Sequence, residues 1–476
     1  MIIVLLGIIV FCCAAAVSNW RYGVYAAVFL DVLRDPIRKL TPGEPAWMTQ
    51  AMIPVWALIL ASCIAQQPSV LRELRKYFPR IKTGVILLFL AMLPGAFMSL
   101  LLYTNGWMVA GIGGLSYVGP IAGLFIGACL ATDPRSVLTF LRLYIVVNSL
   151  TMIGSVAEYF RWDWPALGGM GSFEWIRHIP GVQVRMICGF FRSPDIAGFH
   201  AANVLIFCIL LTLPRFRGDR VKPGWLAVGF WAIYVITLAG RRKMLAIPII
   251  FLVTFVSLNS LMQRRGTGKS IRFLLLAVVI LAVGVTYGLS GNSDLDDHTE
   301  YFSTIMIDAA PKIYDATFAA SVNTLEQSGI MGSGLGVASQ GAQYTGIDRS
   351  RVWQEDGTSR LFKELGVIGL LFLVGALICF AGDFRKALRT RLVDPSRSFL
   401  QVAGVAIAAG NLASFVISHQ HISGDASNGL LPLIFLGGGL GHVIADYRAR
   451  ISAARQSVVS TTIMVVDPRR PTSKTL

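Results

Sequence analysis

Charge is scarce in this chain. Of its 476 residues only 14% are Asp, Glu, Lys or Arg, against about 25% in soluble domains. With 54% hydrophobic residues and a mean hydropathy of +0.63, that scarcity excludes an ordinary soluble enzyme. Acidic residues are the scarcer sign: 26 Asp and Glu stand against 42 Lys and Arg, a net charge of +16. The excess sits in short loops between apolar runs, where Lys and Arg anchor cytoplasmic loops. Nucleic acid is therefore set aside as a partner. Cysteine is sparse too. Six of the seven (Cys12, Cys13, Cys63, Cys129, Cys208 and Cys379) lie inside apolar runs, and only Cys188 lies outside one. That pattern excludes a disulfide framework, and there is no CxxC metal motif. No basic segment precedes the first apolar run, so Met1–Val17 reads as a retained helix and not a cleaved signal.

What is present is a succession of apolar runs, each of a length that crosses a bilayer (about 20 residues). The fold expected is all-α, a polytopic transmembrane helical bundle of about 12 or 13 helices forming one integral-membrane domain over residues 1–476. Five segments are rich in Lys and Arg: Arg72–Lys82, Pro214–Lys222, Gln263–Arg272, Asp383–Arg391 and the tail from Arg448. The positive-inside rule places all five in the cytoplasm. The spans between them agree in parity: Gly84–Tyr103, Trp107–Ala131, Phe140–Glu158, Ala197–Leu213, Trp225–Ala239, Met244–Met262, Phe273–Leu289, Leu361–Gly382, Ser398–Ile417 and Leu430–Ile444. Residues 1–66 hold three apolar stretches around the polar segment RDPIRKLTPGEP (Arg34–Pro45), enough for two or three spans. Two long extracytoplasmic segments result, 161–196 and 290–357, and a cytoplasmic tail, 446–476. A loop as long as the second carries function more often than not.

The stretch TLAGRRKMLAIP (Thr237–Pro248) is the anomaly. Parity puts Arg241, Arg242 and Lys243 on the external face, against the insertion rule. Near mid-membrane each cation costs about 2.5–3.5 kcal/mol on insertion scales. Snorkelling to outer-leaflet headgroups, or pairing with an acidic residue of the long loop, is one explanation. An anion site is the other, because the three residues open a helix whose N–H groups and dipole attract negative charge. Further arginines sit in the external segments: Arg177, Arg185 and Arg192 in one, Arg349, Arg351 and Arg360 in the other. Guanidinium forks match phosphate oxygens, so a membrane-level diphosphate is the ligand this pattern fits.

Several motifs then resemble the O-antigen polymerase and ligase superfamily, integral-membrane glycosyltransferases that use undecaprenyl-diphosphate-linked glycans. RMICGFFRSPDIAGFHAA (Arg185–Ala202) is similar to that family's helix-opening stretch, with Asp195 where Asn is usual. GRRKML matches its Arg-x-x-x-Leu motif through Arg241 and Leu245. GIMGSGLG (Gly329–Gly336) resembles the turn late in its large external loop. EDGTSRLFKELGVIGLLFL (Glu355–Leu373) resembles its segment ending in Glu-Leu-Gly, but Glu355 stands where the family's His is usual. The resemblance covers about Val184–Gly375 and implies a polysaccharide polymerase, a metal-independent enzyme that inverts the anomeric carbon and needs no cofactor. Its partners would be the undecaprenyl-diphosphate-linked donor and acceptor, the lipid bilayer and other polysaccharide-assembly proteins. It would sit in the bacterial inner membrane with its active site facing the periplasm. Arg241, with Arg185 or Arg192, would hold the diphosphate. Glu355 or Asp356 would take the acceptor's proton, and Arg242, Lys243 and Arg360 would line the substrate site. The missing His favours polymerase over ligase. A transporter or lipid flippase, and a non-catalytic subunit of an export complex, are the readings from other classes.

Three features are set aside. GTGKS (Gly266–Ser270) lacks the Gly at 263 that a P-loop requires, where Gln263 stands. HQH (His419–His421) lacks a third metal ligand and reads as a polar external turn or substrate contact, with Asp425 near it. GGGLG (Gly437–Gly441) reads as a close helix-packing stripe.

The topology is tested by labelling single cysteines in a background lacking the native ones. An impermeant thiol reagent applied from outside should reach a cysteine at Asn292 or Gln343 but not one at Ser457. The reverse pattern would put the arginine clusters in the cytoplasm and remove the basis for an external diphosphate site.

Overall fold

The computed structural model describes residues 1–172, 174–179, 182–213, 222–262, 314, 319–346 and 354–465. The expected span Phe273–Leu289, the basic loop Gln263–Arg272, most of segment 290–357, and Arg349 and Arg351 lie outside the described residues. The chain is a polytopic all-α bundle, and among the described residues nine helices are long and apolar enough to cross a membrane. Two shorter apolar helices, Ile2–Ser18 and Gly224–Leu238, accompany them.

In chain order the helices are α1 (Ile2–Ser18), α2 (Trp20–Lys39), α3 (Met52–Gln66), α4 (Pro68–Tyr77), α5 (Pro79–Leu102), α6 (Gly106–Leu130), α7 (Pro134–Thr151), α8 (Ile153–Tyr159), α9 (Pro194–Thr212), α10 (Gly224–Leu238) and α11 (Lys243–Met262). Then come α12 (Ala320–Ser328), α13 (Gly357–Arg389), α14 (Pro395–Ile417), α15 (Gln420–Ser423) and α16 (Ala426–Val465). Five of them start on a cap written in the sequence: Asn19-Trp20, Asp133-Pro134, Ser193-Pro194, Asp356-Gly357 and Asp394-Pro395, with each cap side chain accepting a backbone N–H of the first turn. Residues 1–66 form three helices, of which only the last, within Ala46–Gln66, is among the nine. The middle one, α2, is not among the nine, and it carries buried Arg34, Asp35, Arg38 and Lys39. The last helix runs 40 residues, well past the expected end at Ile444, so the start of the tail is helical.

Contacts among the described helix ends group them at two ends of the bundle. At one end Arg448 pairs with Glu73 at 2.8 Å, Lys386 Nζ donates to the Tyr77 carbonyl at 2.6 Å, and Tyr25 donates to the Ser136 carbonyl at 3.2 Å. This is the basic end. At the other end Lys39 Nζ donates to the Gly189 and Phe191 carbonyls, both at 2.8 Å. Segment 160–193 lies at this end and includes an antiparallel hairpin of β1 (Ile176–Ile179) and β2 (Val182–Arg185), with Ile176 opposite Arg185.

The core is closed by backbone contact between helices. α6 and α16 cross where Gly123 and Gly127 face residues 430–434, while Gly437 and Gly441 face the carbonyls of Leu124 and Ala128. A Cβ on Gly127 would overlap the Ile434 carbonyl, whereas one on Gly111, earlier in the same helix, would meet open space. The small-residue stripe read from the sequence therefore packs as expected.

These two glycines make a paired test. Gly111→Ala should be neutral or raise stability by up to about 1 kcal/mol, because it removes only backbone entropy. Gly127→Ala should lower stability by about 2 kcal/mol or more, through overpacking. Thermal unfolding in detergent, compared between the two variants, checks the sign. Shifts of equal size and sign would contradict the α6–α16 contact.

Candidate functional site

The turn between α10 and α11 lies at the end of the bundle opposite the basic loops. Gly240 makes it possible: its φ is +63°, and a Cβ there would stand 3.1 Å from the Met186 side chain. The turn is wedged between the strand leaving β2 and the start of α9. Ile187 N–H donates to the Leu238 carbonyl at 3.2 Å. Gly198, one turn into α9, lets the side chains of Met244 and Arg241 come close.

Two cations of GRRK converge here on one carboxylate. Arg241 Nη2 lies 2.8 Å from Asp195 Oδ2, and Lys243 Nζ lies 2.8 Å from Asp195 Oδ1. The Arg241 guanidinium also sits over the Trp175 ring, 5.2 Å from its centroid. Asp195, Arg241 and Lys243 are almost wholly enclosed. This answers why the charge is tolerated: it is internally paired, not snorkelling. Two cations on one carboxylate leave an excess positive charge at an enclosed turn.

Glu355 stands beside this group. It lies within electrostatic range of Lys243, its carboxylate is 62% exposed, and it reaches Arg177 of β1 at 3.9 Å. Its neighbour Asp356 behaves differently. It is buried and accepts the Ser359 N–H at 2.6 Å and the Thr358 hydroxyl at 2.7 Å, as the cap of α13. The HQH turn holds this junction. His419 N–H donates to the Glu355 carbonyl at 3.3 Å, and His419 Nε2 meets the Gln354 carbonyl at 2.9 Å. A carbonyl only accepts, so Nε2 carries the proton, and Nδ1 accepts from Ser423 Oγ at 2.6 Å.

Arg192 belongs to a separate network. It contacts Asp35 at 3.4 Å and Asp425 at 2.7 Å. Arg34 bonds Asp425, contacts Asp31 at 2.9 Å, and donates to the Thr49 carbonyl at 3.1 Å. His200 borders this group, with Nε2 3.8 Å from Asp31 Oδ2 and Nδ1 bonded to the Tyr144 hydroxyl at 2.7 Å. Arg360 belongs to a third network. It pairs with Glu364 at 3.2 Å, donates to Ser116 at 2.6 Å and sits over the Tyr117 ring. Glu364 in turn accepts Tyr117 O–H at 2.9 Å and the Ala338 N–H at 3.2 Å, which docks the end of the Gly-rich turn. Arg185 is half exposed, 3.7 Å from Glu158 and 3.8 Å from Glu174.

The structure thus brings Arg241, Lys243 and Glu355 together, with Arg242 in the same turn. Arg185 lies one residue from the Met186 that packs on Gly240. Arg192, Arg360 and Asp356 are committed to internal partners. Sequence reading missed Asp195 as the shared counterion, although an acid one residue into a helix facing an external GRRK was the available signal. It also missed Asp31, Arg34 and Asp35. Their signal was three charges at i, i+3 and i+4 on one face of an otherwise apolar helix.

Burial, reinforced by Lys243, pushes the His421 imidazole down to about 3. Burial likewise pushes His419 well below its ordinary value, with Arg360 adding to it. For Asp425 burial favours the neutral acid, but the guanidiniums of Arg34 and Arg192 outweigh it and hold the carboxyl below its usual range. The sign of the pH dependence follows. A His that stays neutral when folded contributes full stability above its unfolded value of about 6.5 and loses it as pH falls towards the folded value. Between pH 6.5 and 5 the loss is about 2 kcal/mol for His421 alone. Unfolding followed at pH 7.5 and pH 5 should show wild type losing more stability than His421→Gln. Equal losses would mean that His421 is not held neutral by the fold. In comparisons with known proteins, no family model matches the chain and no curated protein matches it significantly.

Proposed function

We propose that this multi-pass membrane protein is a polysaccharide polymerase. It would join undecaprenyl-diphosphate-linked repeat units at the extracytoplasmic face of the bacterial inner membrane. The observation that carries the reading is the enclosed turn where Arg241 and Lys243 share Asp195, beside an exposed Glu355. It combines surplus positive charge at the membrane boundary with a carboxylate open to a second substrate.

In this reading the diphosphate of the donor docks at the turn, on Arg241, Arg242 and Lys243, with Arg185 beside them. The acceptor hydroxyl attacks the anomeric carbon. Its proton passes to Glu355, and the C–O bond to the diphosphate breaks. The negative charge that grows on the departing lipid diphosphate is met by Arg241. Glu355 suits the base role better than Asp356, because Asp356 is buried with its Oδ1 engaged in capping α13, whereas the Glu355 carboxylate is exposed.

A second reading, a transporter or flippase of the same lipid-linked glycan, draws on a different observation. Asp31, Arg34, Asp35, Arg192 and Asp425 form a buried charged network between helices, and intramembrane charge is a common feature of transport pathways. Purified protein given lipid-linked oligosaccharide in detergent separates the two. Elongated glycan supports the polymerase. Translocation in sealed vesicles with no elongated product supports the transporter.

Variants locate the chemistry. Arg241→Ala should lower turnover by about 10²–10³, the usual cost of one oriented donor to a developing anion. Arg241→Lys should be impaired as well, because it keeps the charge and loses the fork. Glu355→Gln should cost about 10²–10⁴ while donor binding persists. Measured at matched membrane abundance, wild-type polymer formation in both Arg241 variants would remove Arg241 from the reaction.

A further inference from the structure

The basic end of the bundle carries a second cationic feature, which the reading above does not use and on which that reading does not depend. Where α5 begins and α13 ends, an open groove of about 510 Å³ is lined by Arg80, Gly382, Arg385, Lys386, Arg389 and Thr390. Four of these six carry positive charge and none is acidic. The carboxylate nearest to them, Asp383, is buried, faces Arg80 and Lys386, and is engaged by the Ile81 N–H at 2.9 Å. Lys386 is tied to the Tyr77 carbonyl. Among the described residues, no carboxylate lies within ion-pair distance of Arg80, Arg385 or Arg389. Cations gathered this closely repel one another unless an anion sits among them.

One face of α13 says which kind of anion. Leu371, Val374 and Ile378 are 70%, 52% and 66% exposed. At the same helical spacing they are followed by Gly382, Arg385 and Arg389. An uncovered apolar stripe therefore runs straight into the cationic groove. Ile86 and Phe89 of the adjoining α5 are also exposed. Beside the groove, α4 is amphipathic: Val70 and Leu74 are buried while Arg72, Arg75 and Lys76 face outward. Such a helix lies along a membrane surface. A soluble phosphate would use the cations and leave the stripe bare. A phospholipid uses both.

We propose that this groove is a binding site for an anionic phospholipid, with its phosphate among Arg80, Arg385 and Arg389 and its acyl chains along the exposed face of α13. Basic pockets between transmembrane helices are suited to headgroups of more than one negative charge, so cardiolipin should bind more tightly than phosphatidylglycerol.

The test is a lipid titration of the purified full-length protein in neutral detergent, read by native mass spectrometry. The lipids are cardiolipin, phosphatidylglycerol and phosphatidylcholine, and inorganic phosphate is the soluble competitor. Wild type should bind cardiolipin at least about tenfold more tightly than phosphatidylcholine, and inorganic phosphate should not displace it. At about a tenfold to thirtyfold effect for two surface cations, Arg385→Gln/Arg389→Gln should weaken cardiolipin binding about thirtyfold. Arg72→Gln/Arg135→Gln removes the same charge from the same end outside the groove and should weaken it less than about threefold. If the groove variant loses its thermal transition in neutral detergent, the single Arg385→Gln replaces it, with about a fivefold loss expected. Equal binding of all three lipids by wild type, or equal losses in the groove and control variants, would overturn the proposal. Displacement by inorganic phosphate would overturn the lipid assignment in favour of a soluble anion.

Discussion

The structure depends on one constraint: charge enclosed within an apolar bundle has to be paired. An isolated ion carried out of water loses several kcal/mol even after relaxation. Among the described residues this chain encloses many ions, and three networks of them gather toward the end that lacks the basic loops. Each has its own composition. Around Asp425 the carboxylates outnumber the guanidiniums that contact them. At Glu364 one arginine meets one carboxylate, with a tyrosine hydroxyl and a backbone N–H completing the acceptor. At Asp195 the cations are in excess. Among the described residues, this last arrangement is the one of the three in which cations outnumber carboxylates.

Pairing also does structural work. The Asp425 network ties α2 to the start of α9 and to the turn before α16, elements separated by as many as 391 residues in sequence. The Glu364 network holds α13 against α6 and fixes the Gly-rich turn between them. That turn approaches backbone to backbone: Leu335 N–H donates to the Gly95 carbonyl at 2.8 Å and Ser333 N–H to the Lys363 carbonyl at 2.7 Å. A rigid frame of this kind is what a site at the end of a bundle needs, because oriented donors act in a transition state only when they do not have to reorganise. Glu355 is the contrast. Its carboxylate is exposed, but its backbone is held by His419, so an exposed acid is presented from a fixed point.

The two ends of the molecule handle positive charge in opposite ways. At the candidate site the cations are enclosed and share a buried counterion, which lowers the cost of holding them and narrows what reaches them. At the basic end they are exposed, and among the described residues Arg80, Arg385 and Arg389 have no carboxylate within ion-pair distance, along a groove continuous with an exposed apolar face. The first suits a ligand that must be oriented for chemistry. The second suits a molecule of the surrounding bilayer.

The sequence by itself determined the class of the protein and most of its helix bounds. Apolar runs of bilayer length, Pro-containing caps and one-sided basic loops are local features, and a membrane reads them locally. The spans from Gly84 to Ile444 that fall within the described residues were therefore legible to within a few residues, apart from α7, which starts at Pro134, α13, which runs on to Arg389, and α16, which runs on past Ile444. The Gly437–Gly441 stripe was legible for the same reason. GRRK could be singled out because its charge breaks the local rule. Its counterion could not be, because the pairing of Arg241 and Lys243 with Asp195 joins different helices across the bundle. The separate fates of Arg192, Arg360 and Asp356 were equally hidden. In the sequence they look like Arg241 and Glu355, charged residues near span ends. Only the packing of helices, set by glycine contacts and by the need to neutralise enclosed charge, decided which of them became structural pairs and which stayed available to a ligand.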